Sequence, residues 1–150
     1  MNSRRENARA KQKATVERSV TPPHTMKKLK KELQNKSGLE LATICAKAAL
    51  DTKAEDLLVL DVRELSSFTD YFVIMSGRSS RHVQGLAEAM ESAMRSKRIS
   101  ASKAEGIKDG MWVLLDFADV VVHIFYHEQR SFYDLEGLWH DAPRVEIDEN

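Results

Sequence analysis

The sequence predicts an α/β domain, a mixed sheet of about five strands flanked by helices, carried on a disordered basic arm. Three observations lead there. The apolar patterns follow the order helix, strand, strand, helix, strand, strand, strand, helix. Between Trp112 and Phe125, two β-branched and aromatic runs flank Asp116 to Asp119, a break too short for anything but a hairpin. The charge, zero overall, is divided: residues 1–36 hold eleven Lys/Arg against three Asp/Glu (+8), and residues 37–150 hold twelve against twenty (−8). The domain boundary is therefore expected at 36/37, with a body of one-domain size.

In the arm, Arg4, Arg5, Arg9, Lys11, Lys13 and Arg18 precede Pro22-Pro23, and Lys27, Lys28, Lys30 and Lys31 follow. Large apolar residues there are few and aperiodic, which points to disorder or transient helix. Three readings stay open: an RNA-contacting tail, an organelle presequence (with Glu6 and Glu17 against it), or a solubilising extension without a partner. Met26 is an alternative start, since the folded body needs nothing before it. The first 25 residues have no apolar core like that of a signal peptide, and no run approaches membrane-span length. A soluble protein of the cytoplasm is expected, an organelle matrix less so, with no membrane partner.

Ser37-Gly38-Leu39-Glu40 fits a capping box, followed by Leu41, Ile44, Cys45 and Ala48 on one helical face. Cys45, the single cysteine, excludes an internal disulfide and a multi-cysteine zinc site. Asp56 to Val62 and Tyr71 to Met75 are strands around a Ser-rich turn. A helix capped by Ser79 or Ser80 carries Val83, Leu86, Ala87, Met90 and Met94 on one face. A short strand at Ser102 to Glu105 leads through the Gly106 to Gly110 turn into the hairpin. A last helix, about Glu128 to Leu138, is expected to present Phe132, Leu135 and Trp139 together, with Phe132, Tyr133, Leu138 and Trp139 packed in the core. An extended tail closes the chain.

In the hairpin, any even loop puts Val113, Leu115, Val120, Val122 and Ile124 on one apolar face, which must be core. The opposite face collects Trp112, Leu114, Asp116, Val121, His123 and Phe125. A carboxylate and an imidazole in an apolar face leave two readings: a helix covers it, or it is a docking surface. Trp112, at the strand's start, has the character of an exposed interface anchor.

The place to look for chemistry is Ser76-Gly77-Arg78-Ser79-Ser80, between strand and helix, with Arg78 and Arg81 adding charge for a phosphate. Nucleotidyltransferases use such a loop but need metal-holding carboxylates close after it, and here none follows until Glu88. The loop is neither a Walker loop nor a dinucleotide fingerprint. His123 and His127 stand about 13 Å apart along a strand, too far to share an ion. Neither a cofactor nor a metal is expected.

Several of these motifs occur together in a known family. Asp70 to Val83, Glu105-Gly106, Trp112 with Asp116, Asp119 to Phe125, and Arg130 with Tyr133, Leu135, Leu138 and Trp139 resemble the ribosomal silencing factor family, also called RsfS or Iojap-like, over about residues 38 to 147. The resemblance implies a nucleotidyltransferase-like fold without catalysis. It also implies a translational repressor that binds protein fourteen of the large ribosomal subunit and sterically blocks joining with the small one under nutrient limitation. On that reading Trp112, Leu114 and Asp116 form the docking surface, with Arg81 and His82 the next place to look. Apart from the resemblance, ribosomal RNA is one contact open to the arm, and a second copy of the chain is a candidate partner of the free protein. The alternative is a nucleotide- or RNA-binding enzyme that uses the Ser76 to Arg81 loop as a phosphate site. One departure stands out: Ala118 occupies a turn position that is usually Gly in the family.

Overall fold

The computed structural model describes residues 24–147, with side chains from residue 38 onward. The expectations for residues 1–23 lie outside the described residues. Helix α1 (His24–Asp51) is followed by β1 (Glu55–Asp61), β2 (Tyr71–Gly77), α2 (Ser80–Arg95), β3 (Lys103–Glu105), β4 (Trp112–Asp116), β5 (Val120–Tyr126), α3 (His127–Tyr133) and α4 (Leu135–Leu138). The five strands form one mixed sheet in the order β1-β2-β5-β4-β3. Strands β2 and β5 run parallel at its centre, and every other pair is antiparallel.

One sheet face carries the main core. Val113, Leu115, Val120, Val122 and Ile124 are all buried there, as the hairpin parity requires, and meet Val83, Leu86, Ala87, Met90 and Met94 of α2. Ser79 caps α2 by accepting from the His82 amide. Gly77 lets the end of β2 approach that helix, because a Cβ there would stand 2.8 Å from Val83 Cγ2.

Helix α1 packs beside α2, and two local expectations need correction. The chain does not begin a helix at Ser37: α1 is continuous from His24 through Ser37 and Gly38. The capping-box pattern is local, and Lys, Leu, Glu and Gln upstream are good helix formers, so the helix continues through it. Gly38 serves packing instead, since a Cβ there would come within 3.2 Å of the Tyr71 ring. The buried face is also rotated from Ile44 and Ala48 towards Ala42, Ala46 and Ala49, with Leu41 and Cys45 shared. Small side chains there bring the helix close. Burial raises the Cys45 thiol pKa to about 12, so it packs as a small apolar group.

The hairpin closes tightly. Asp116 pairs with Val121, leaving an even loop of four residues, and Phe117 N donates to Val120 O at 2.9 Å. At the tip Ala118 has φ 71°, and Asp119 N donates across it to Phe117 O at 3.0 Å. This left-handed backbone favours glycine, so the alanine costs about 1 kcal/mol. The Asp116 carboxylate offsets part of that by accepting from Ala118 N at 2.8 Å.

The second face is covered by the chain's end. Leu60, Val62, Phe72, Ile74, Val121 and Phe125 pack with Leu135 and Ala142, and Trp139 meets Phe72 edge-on at 5.0 Å. The tail then runs along β1, with Asp61 N donating to Pro143 O and Val145 N to Val59 O. The single last helix is a correction. It breaks at Asp134, whose φ 45° and ψ 50° end α3 and start α4, its side chain accepting from Gly137 N. Asp tolerates this conformation and caps well. The break turns Leu135 inward and leaves Phe132, Tyr133 and Leu138, all expected in the core, 78%, 42% and 73% exposed.

Candidate docking surface

Strand β4 alternates. Val113 and Leu115 point into the main core, while Trp112, Leu114 and Asp116 lie half-buried on the second face. That face is covered over β1, β2 and β5, but the cover thins over β4. The covered reading therefore holds over β1, β2 and β5, and only the strip along β4 is left half-buried. Beyond β4, Glu105 pairs with Leu114 and Lys103 with Asp116, both half-buried, so a charged edge borders the apolar strip.

Trp112 is less exposed than its place at the strand's start suggests. Its indole stacks on Phe125 at 5.1 Å, meets Tyr133 at 4.4 Å, and donates from Nε1 to His123 Nδ1 at 3.1 Å. His123, the imidazole on the mixed face, is fully buried. From Trp112 the apolar surface continues through Tyr133, 42% exposed, to Phe132, whose ring meets Tyr133 edge-on at 5.2 Å. Helical spacing concealed Phe132 and Leu138. The signal that could have found them is Asp134-Leu135-Glu136-Gly137, where a capping residue two places after Phe132 allows the helix to restart.

Arg81 and His82 stand in another layer, at the head of α2 behind the main core. Arg81 is exposed. His82 is tied into the fold: Nδ1 accepts from Arg78 N at 3.0 Å, so Nε2 carries the proton and donates to Thr52 O at 2.8 Å. The structure does not bring these two residues to the face of Trp112.

Several polar groups of the Ser76 to Arg81 loop bond within the protein. Ser76 is buried, and its hydroxyl accepts from Arg130 Nη1 at 3.0 Å. The amides of Arg78, His82 and Val83 donate to His82 Nδ1, Ser79 Oγ and Ser79 O. These groups of the loop are thus engaged in capping and packing. Arg130 also donates to Asp56 O and pairs with Glu136 at 3.2 Å, anchoring α3 to the sheet. Elsewhere, Arg63 holds the Asp61 carboxyl below its usual range by hydrogen bonding, and burial pushes Asp119 up. Among the described residues no three His, Cys, Asp or Glu side chains gather as a metal site, and no helix is long and apolar enough to cross a membrane.

Fold and surface together describe an α/β domain with a half-open apolar sheet face. The family model described as "Ribosomal silencing factor during starvation" matches residues 35–150. The chain belongs to that family. It is 43% identical over 105 residues to the ribosomal silencing factor RsfS of Bacillus subtilis, covering 70% of this chain and 89% of the relative. It is 38% identical over 109 residues to the chloroplastic protein Iojap of Zea mays, covering 73% of this chain and 47% of that one. A crystal structure of a Chromobacterium violaceum protein superposes with a TM-score of 0.66 at 32% identity, covering 68% of this chain and 85% of that one.

Proposed function

We propose that this protein is a non-enzymatic translational repressor that binds the large ribosomal subunit through its protein fourteen and sterically blocks joining with the small subunit under nutrient limitation. Family membership supports the ribosomal target. The observation that carries the mode of action is the open end of the second sheet face. There Trp112 and Leu114 continue into Tyr133 and Phe132, and the half-buried Asp116 and Lys103 give the strip a polar rim. An apolar patch with charged borders is suited to a protein partner, whereas the body's net −8 disfavours a nucleic-acid groove.

Leu138, exposed on the same covering segment, joins the proposed surface. Arg81 and His82 enter it only for a partner that reaches round the end of the sheet. The basic arm is proposed to touch ribosomal RNA, and a second copy of the chain to occupy the apolar strip in the free protein. We propose the cytoplasm as the place of action.

Co-sedimentation on sucrose gradients tests the target. The protein is expected to travel with isolated large subunits, and neither with small subunits nor with intact ribosomes, whose joining face is closed. Travel with small subunits alone, or with no particle, would refute the proposal.

A further inference from the structure

The strand register makes His123 the diagonal neighbour of Trp112. Trp112 pairs with Phe125 and Leu114 pairs with His123, all on the second face. The indole leans along β5 to meet the imidazole, with ring centroids 6.0 Å apart and planes at 37°. Indole nitrogen can only donate, so at 3.1 Å His123 Nδ1 must accept, which leaves the neutral ring with its proton on Nε2. His123 is itself fixed: fully buried, with Phe72 edge-on at 5.2 Å and 88°. Phe125 and Tyr133 hold the indole at two further places. Trp112 is thus a partly buried ring whose orientation is set from three directions, and whose single polar atom is turned into the protein.

We infer that His123 is a positioning residue for docking. By accepting the indole N–H it sets which part of Trp112 faces the partner and makes that part wholly apolar. The partner group seated there is therefore an apolar side chain, not a hydrogen-bond acceptor, since the ring's one donor is already engaged. This inference rests on the proposed docking face. It adds to that face a buried residue which touches no partner yet governs one.

The test uses the full chain and isolated large subunits. His123→Leu removes the acceptor at similar volume. His123→Asn restores one, its amide oxygen standing near the place of Nδ1. His123→Leu is expected to bind roughly tenfold more weakly, the worth of about one hydrogen bond, and His123→Asn to recover most of that loss. The indole N–H resonance of Trp112, isolated by Trp139→Phe, is expected to be displaced and slow to exchange in the wild type and in His123→Asn, but not in His123→Leu. Should His123→Leu fail to fold, Trp112→Phe keeps an aromatic ring, drops the donor and is expected to bind more weakly in the same way. Wild-type affinity in the folded His123→Leu or in Trp112→Phe, while Trp112→Ala does not bind, overturns the positioning role and leaves the docking face standing. Wild-type affinity in Trp112→Ala takes away the docking face and this inference with it.

Discussion

Arg130→Ala is expected to lower the unfolding free energy by about 3 kcal/mol, among the larger effects a single substitution produces. Its guanidinium, only 9% exposed as a residue, joins four elements: Asp56 O on β1, Ser76 Oγ on β2, and Glu136 on α4, from its own place on α3. Truncation leaves the buried Ser76 hydroxyl and the Asp56 carbonyl without this donor, and opens a void between helix and sheet. The Glu136 pair contributes little, because that carboxylate is 35% exposed and water screens it. Glu136→Gln should therefore cost under about 1 kcal/mol. Urea unfolding separates the two variants, and an Arg130→Ala loss no larger than that of Glu136→Gln would refute the anchoring role. Because Tyr133 is carried on the anchored helix, Arg130→Ala should also loosen one wall of the Trp112 site.

Trp112→Ala is expected to weaken binding to large subunits by roughly thirtyfold or more, about 2 kcal/mol, the loss typical of an aromatic anchor. Strand parity alone suggests that its stability would be untouched. The structure revises that, since Trp112 stacks on Phe125 and Tyr133 and bonds to His123. A stability loss of about 1–2 kcal/mol should accompany the loss of binding, less than for a wholly buried ring. Leu115→Ala, in the main core, should cost about 2–5 kcal/mol of stability yet bind normally whenever folded. Phe132→Ala and Leu138→Ala separate the effects more cleanly: at 78% and 73% exposure they should unfold within about 0.5 kcal/mol of the wild type while binding less well. Wild-type binding by Trp112→Ala would move the docking surface elsewhere, first to Arg81 and His82.

The parts legible in the sequence are those decided by a strong period or a short break. Alternation in the hairpin placed Val113, Leu115, Val120, Val122 and Ile124 correctly, and the spacing in α2 placed Val83, Leu86, Ala87, Met90 and Met94. The errors fall where one local pattern suits two structures. Ser37 to Glu40 reads as a helix start but lies inside α1, because the residues before it are helix formers too. Phe132 to Trp139 has helical spacing, yet Asp134 adopts a left-handed backbone and divides it. That break depends on Leu135 finding a place over the sheet and on Arg130 finding Ser76, contacts far away in sequence. Trp112, Leu114 and Asp116 were legible as one face by parity. The Trp112 to His123 bond was not, since alternation shows which residues share a face and not which way a ring leans.

Blocked subunit joining is the most direct measurement of the central claim. Large subunits incubated with excess protein, then mixed with small subunits and resolved on a sucrose gradient, should remain separate. Protein added after joining should leave the assembled ribosomes intact. Ribosomes that form to the same extent with and without the protein, under conditions where it is bound to the large subunit, would contradict a steric block.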